Sequence, residues 1–254
     1  MCTLSWRRDA NGYQVYFNRD EQRSRPKARL PKQFEHLGLK FLMPLDPVGK
    51  GSWIAVNEKG LSLYLLNHYQ GQVPEGPLIS RGKLLRSLAH HTCIAKVSTV
   101  LKETALERYA PFTLVVFAHS SSHSSSLTNA NSSPNKGPTP RGPLQQALQW
   151  DGHKLTVFNP RPMITSSSVK FDEVSQKRQA RFGQQLSTNL ERQHQDFHKH
   201  HDGGKNYSSV CMHRPDAKTV SFSQVWVEGS RVSFQYKDGA PCDEVNSQLN
   251  YYSF

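Results

Sequence analysis

Residues 1–22, MCTLSWRRDANGYQVYFNRDEQ, decide how this chain folds. Cys2, Leu4 and Trp6 alternate with polar residues. Asn11-Gly12 is the strongest two-residue turn signal, and Tyr13, Val15 and Phe17 then resume the alternation. The pattern predicts a β-hairpin over residues 2–20. With Asn11-Gly12 as a two-residue loop, Cys2 falls opposite Glu21; a three-residue loop puts it opposite Asp20. Either way Asn18-Arg19-Asp20-Glu21 returns beside the start of the chain, because directly opposed residues lie about 5 Å apart.

A cysteine at position two has chemistry of its own. Methionine is trimmed when the next residue is small, which would leave Cys2 with a free α-amine. Such an amine has a pKa of about 7.7–8.0, beside a thiol near 8.5. It can act as a general base at neutral pH, so one residue would supply both nucleophile and base. Arg19 nearby favours the thiolate, and Asp20 can orient the amine. The other reading is an ordinary small strand residue followed by a polar strand end.

Working outward, a second hairpin is predicted over 52–56 and 61–67, around the turn Asn57-Glu58-Lys59-Gly60. Apolar spacing predicts helices over 84–90 and 99–109, with His90-His91 at a helix end. FTLVVFA (112–118) reads as a buried strand. Residues 119–143, HSSSHSSSLTNANSSPNKGPTPRGP, hold almost nothing to bury and are expected to be a disordered insertion within a single domain spanning 1–254. Beyond it come a third hairpin over 148–158, turning at Asp151-Gly152, and a helix over 171–197. Strands follow over 207–213, 219–228 and 231–236, with Gly229 turning the last two against each other. Paired antiparallel strands separated by helices predict an α+β fold of stacked sheet and helix layers.

The chain has 254 residues, 36% of them hydrophobic and 10% aromatic, enough for a core beside a polar insertion. No apolar run approaches the roughly 18 residues of a membrane span. Arg7, Arg8 and Asp9 interrupt any secretory leader at the N-terminus, so a cytoplasmic protein is expected. The four cysteines, Cys2, Cys93, Cys211 and Cys242, match neither a disulfide framework nor a zinc spacing. The net charge of +12 is dispersed, and no helix carries a basic face interleaved with aromatics, so a nucleic-acid partner is not expected. RSRPKARLPK (23–32), with Arg23, Arg25, Lys27, Arg29 and Lys32, reads as an extended, solvated loop. His194, His198 and His201 have helical spacing but no carboxylate at the third-ligand position of a zinc-protease helix, and read as a solvated helix end.

The leading Met-Cys, FNRDEQRSRP (17–26), GKGSWIAVNEKGL (49–61) and ITSSSV (164–169) resemble the NRDE family, the proteins related to transport and Golgi organisation protein 2. More remotely the layout resembles cholylglycine hydrolase and penicillin V acylase, which are N-terminal nucleophile hydrolases. That resemblance implies a four-layer αββα sandwich and cleavage of a non-peptide C–N amide bond through an acyl-thioester, with no cofactor and no metal. Cys2 matches the nucleophile, and Arg19 and Asp20 match the residues beside it. The strand SLYLLNHY brings Asn67 to the oxyanion position. Asn18, Glu21 and Ser166 are then binding residues for a small acyl or amide substrate. Two departures stand out: Ser166 replaces an asparagine, and Lys205-Asn206-Tyr207 stands where those hydrolases carry an arginine, with Arg214 further along. The alternative is a non-catalytic carrier of a lipid or other small molecule, with a role in trafficking.

Overall fold

The structure is a computed structural model that describes residues 1–119, 144–184, 189–243 and 248–254. The expected insertion at 119–143 therefore lies, His119 apart, outside the described residues. Strands β1 (Cys2–Arg8) and β2 (Gly12–Gln22) form the first hairpin. They are followed by β3 (Arg29–His36), β4 (Leu39–Leu45), β5 (Ile54–Asn57) and β6 (Leu61–Asn67). Helices α1 (Arg81–Leu88) and α2 (Ile94–Glu103) precede β7 (Phe112–Ala118), β8 (Gln145–Trp150), β9 (Leu155–Phe158) and β10 (Met163–Ser166). Helices α3 (Phe171–Gly183) and α4 (Leu190–Lys199) then lead into β11 (Ala217–Glu228), β12 (Arg231–Asp238) and β13 (Gln248–Ser253).

Two antiparallel sheets result, ordered β10-β1-β2-β11-β12-β13 and β3-β4-β5-β6-β7-β8-β9. Their facing sides form one core, in which Leu4, Trp6, Val15 and Phe17 meet Ile54, Tyr64, Val115 and Phe117. The outer face of the second sheet packs Leu63, Leu114 and Val116 against Leu84, Leu85, Leu88, Val97 and Leu101 of α1 and α2. The outer face of the first sheet lies under α3 and α4. The order of layers is αββα, as the resemblance implies.

The layer beneath α3 and α4 is polar. Thr3, Ser5, Asn18 and Asp20 are all buried there, with Arg178, His194 and His198 from the helices. Arg178 is 1% exposed and donates to Thr3 Oγ1, Thr165 Oγ1 and the carbonyls of Ser208 and Ser209. His194 Nδ1 and His198 Nε2 lie 2.7 and 2.9 Å from Ser5 Oγ, and the Tyr16 ring stacks on His194. These two histidines are therefore core residues and not a solvated helix end. Their helix face meets a side of the sheet lined by Thr3, Ser5 and Asn18, which offers hydrogen bonds to buried rings.

Several other local expectations shift. The first hairpin turns at Ala10-Asn11, so Arg8 pairs with Tyr13 and Cys2 pairs with Arg19. Two causes combine. The Asp9 carboxylate accepts the amides of Asn11 and Gly12, closing the turn one residue early. Gly12 is used for closeness and not for a left-handed turn: a Cβ there would sit 1.7 Å from the Val227 carbonyl oxygen. Residues 29–45 form a hairpin, so the end of the 23–32 stretch expected to be a solvated loop is instead strand. Leu37 and Gly38 both take positive φ, which sets the tight turn. Pro31 is tolerated because β3 is an edge strand with a register shift between Arg29 and Lys32. Residues 207–213 form no strand beyond a single bridge from His213 to Lys218. Their carbonyls are taken instead by the side chains of Arg178 and Asn18.

Candidate active site

Cys2 heads an inner strand, flanked by Arg19 on β2 and Ser166 on β10. Its backbone N–H donates to Ser166 Oγ at 3.0 Å, and its carbonyl accepts from Thr165 Oγ1 at 3.1 Å. The side chain, 9% exposed, faces the inter-sheet core at the floor of a cleft of about 410 Å³. Paired residues share a face, so Arg19 and Glu21 line the same cleft; Asp20 also borders it, but its carboxylate turns with the Asn18 side chain toward the helix layer.

Asn18 is thereby corrected: its amide donates to the carbonyls of His198 and Val210, away from the cleft. Asp20 is a neighbour of the site through its backbone, and its carboxylate accepts from Thr219 Oγ1 at 2.6 Å. The second carboxylate oxygen is 4.0 Å from Arg178 Nη2 and has no hydrogen-bond partner among the described residues. Burial pushes the Asp20 carboxyl up, with Arg178 and the N-terminal amine pulling it back.

One wall of the cleft is a chain of charges. Arg19 lies over the Trp53 ring, 3.9 Å from its centre, and pairs with Glu21 at 3.0 Å. Glu21 also meets Arg25, whose guanidinium forks onto Asp46. Asn67 and Arg81 also line the cleft. Asn67 Nδ2 donates to the Tyr69 hydroxyl at 2.8 Å, and that hydroxyl also accepts from the Met1 amine at 3.3 Å. Arg81, the first residue of α1, donates to the Pro111 carbonyl and forms no ion pair among the described residues. Gly51 makes this placement feasible, since its backbone touches that of Gly82 and leaves no room for a Cβ.

The Cys2 thiol is held above its ordinary value. Burial is the largest cause; the N-terminal amine lowers it, Asp20 raises it, and Arg19 lowers it. Desolvation thus outweighs the thiolate-favouring effect of Arg19 while Met1 is in place. Met1 is itself buried, its side chain packed on Met212 and Ala217 with its sulfur 3.0 Å from Ser167 Oγ.

The fold brings Cys2, Arg19, Glu21 and Asn67 into one cleft and sets Ser166 beside the Cys2 nitrogen. Sequence reasoning missed Trp53, Tyr69 and Arg81. Trp53 was visible within GKGSW and Tyr69 two residues past Asn67, but nothing in the sequence marked Arg81. Arg214 pairs with Asp216 and is absent from the cleft lining, so it does not supply the missing arginine. The cleft holds no cluster of metal ligands; among the described residues such a cluster forms from His201, Cys211, His213 and Cys242, outside it.

The layering is that of the N-terminal nucleophile hydrolase fold. Conjugated bile acid hydrolase from Clostridium perfringens superposes with a TM-score of 0.54 at 14% identity, covering 100% of this chain and 92% of that one. An N-acylethanolamine-hydrolyzing acid amidase ortholog from Caenorhabditis elegans superposes with a TM-score of 0.54 at 10% identity, covering 96% and 94%. At such identities the likeness establishes the fold alone. The chain belongs to the transport and Golgi organisation 2 family, whose profile matches residues 1–225. No curated protein sequence matches it. Among the described residues no helix is long and apolar enough to cross a membrane.

Proposed function

We propose that the chain is an N-terminal cysteine hydrolase that cleaves the C–N amide bond of a small substrate through an acyl-thioester on Cys2. The observation that carries this reading is the Cys2 nitrogen, held 3.0 Å from Ser166 Oγ at a cleft lined by Arg19, Asn67 and Arg81. Trimming of Met1 turns that nitrogen into a free amine already fixed in place, and it opens the space that Met1 fills.

The amine takes the thiol proton, and Sγ attacks the substrate carbonyl carbon. Asn67 donates its amide N–H to the oxyanion that forms, an interaction worth about 3–4 kcal/mol in comparable sites. The Cys2 ammonium then protonates the leaving nitrogen, the C–N bond breaks, and the acyl group remains on sulfur. Water, deprotonated by the same amine, attacks the thioester and releases a carboxylic acid and the thiol. Arg19 and Asp20 act on the electrostatics of this cycle, the first favouring thiolate and the second favouring ammonium. Arg81, which forms no ion pair among the described residues, suits a substrate carrying a carboxylate or similar anion.

The test is intact mass of protein taken from its native cell, followed by incubation with small N-acyl amides bearing a carboxylate. Loss of Met1 and a mass increase equal to the acyl group are expected, and Cys2→Ala abolishes the increase. Asn67→Ala lowers turnover about 100- to 1,000-fold. Retained Met1 in an active preparation overturns the mechanism. Ligand bound tightly and released unchanged would favour the carrier reading.

A further inference from the structure

We propose that His201, Cys211, His213 and Cys242 form a closed four-ligand site for a zinc-type divalent ion. The residues are scattered in sequence, yet their candidate ligand atoms all lie within 4.8 Å of one another. His213 Nε2 is 3.5 Å from Cys211 Sγ and 3.3 Å from Cys242 Sγ. In a tetrahedral ion with bonds of about 2.3 Å to sulfur and 2.0–2.1 Å to nitrogen, the sulfur–nitrogen edge is about 3.5 Å. Hydrogen bonding explains one of these contacts at most. A single ring nitrogen has one proton to give or one lone pair to share, and here it faces two sulfurs.

The second histidine is already oriented. His201 Nδ1 lies 2.9 Å from the Cys211 carbonyl oxygen, so its N–H donates there and Nε2 keeps its lone pair. Metal-bound histidines are held by this kind of contact to a backbone carbonyl. Two thiolates with two imidazoles suit zinc and not magnesium or calcium, which take oxygen donors. Binding releases two thiol protons, and two thiolates then balance the charge of the divalent ion. With four protein ligands no position is left for substrate, so the site is structural.

Its place in the fold gives it a purpose. It ties the end of α4, the segment before β11 and the loop after β12. The Met212 backbone exchanges hydrogen bonds with Thr219, which holds the Asp20 carboxylate. His213 also lines a second cleft that shares Arg19 and Glu21 with the first. The ion would therefore brace the strand that carries the catalytic-side charges from behind.

The test uses the full chain purified under reductant without chelator. Elemental analysis should find one zinc per chain. After stripping, one cobalt ion per chain should give sulfur-to-cobalt charge transfer with visible bands of tetrahedral intensity, and zinc should displace it. Zinc should also protect Cys211 and Cys242, but not Cys93, from iodoacetamide. Cys211→Ser and Cys242→Ser should lose the sulfur band, and Cys93→Ser should keep it. If those variants fail to fold, wild-type stoichiometry and thiol protection still decide. Cobalt binding without sulfur charge transfer, no bound metal, or a metal-free chain lighter by two hydrogens from a Cys211–Cys242 disulfide each overturns the proposal.

Discussion

Ser166 and the Cys2 nitrogen meet across one strand pair, and the short hydroxyl accepts that nitrogen's N–H at 3.0 Å. Other single residues answer to their surroundings in the same way. His194 sits under α4 with its ring stacked on Tyr16, and burial pushes its pKa down to about 4. The unfolded chain takes up a proton on that ring below about 6.5, the folded protein only near 4. Stability is therefore complete above pH ~6.5 and falls as pH drops toward 4, by about 3 kcal/mol for this ring. Urea unfolding at pH 7 and 4.5 should show that loss, and His194→Gln should lose about 2–3 kcal/mol less across the same interval. Equal losses in both proteins would mean that His194 is already charged in the fold.

At the scale of elements, the β1–β2 hairpin sets the whole site. Its register decides that Cys2 faces Arg19, and strand alternation then sends Arg19 and Glu21 to the cleft and Asn18 and the Asp20 carboxylate to the helix layer. That register depends on Gly12, where β2 runs against β11 with no room for a side chain. Gly12→Ala must push the two strands apart, since its Cβ would meet Val227 O at 1.7 Å. It should cost about 2–3 kcal/mol or more, as overpacking against backbone does. Chemical denaturation measures it, and a change within ~0.5 kcal/mol would show that the strand end yields freely. The turn was legible as a turn from Asn11-Gly12, but its exact loop was not. The competing feature is a contact with a strand some two hundred residues away.

Among the described residues, two large apolar seams and a largely polar one, with a small apolar cluster of Met163, Phe197 and Val210, hold the layers together. The seams between the sheets and beneath α1 and α2 are made of aliphatic and aromatic side chains. The seam beneath α3 and α4 is tied by Arg178 and its carbonyl and hydroxyl partners. Residues 120–143 connect strands that already pair: Phe117 stands opposite Gln145, and Ala118 N–H donates to Leu144 O. Replacing 121–140 by a short Gly/Ser turn should leave melting temperature unchanged or slightly raised. Closing a shorter loop gains only about 1–2 kcal/mol, because length enters logarithmically. A fall of many degrees in a thermal melt would show that the segment packs on the body.

Local chemistry determined what the sequence could reveal alone. Alternating residues made β1 and β2 readable, the turn at 57–60 marked β6, and an unbroken apolar run marked β7, since all three signals are written in adjacent letters. Met-Cys and Asn-Arg-Asp-Glu pointed to one site because a hairpin joins near neighbours in the chain. Composition marked 119–143 as poor in anything to bury. Tertiary structure alone decided the rest. It turned Asn18 away from the cleft, brought Arg81 into it, buried His194 and His198, and drew Cys211 and Cys242 together with two histidines. Each of those outcomes depends on which distant segment lies against the residue, and on how much water that contact removes. Neither quantity is encoded at any fixed spacing along the chain.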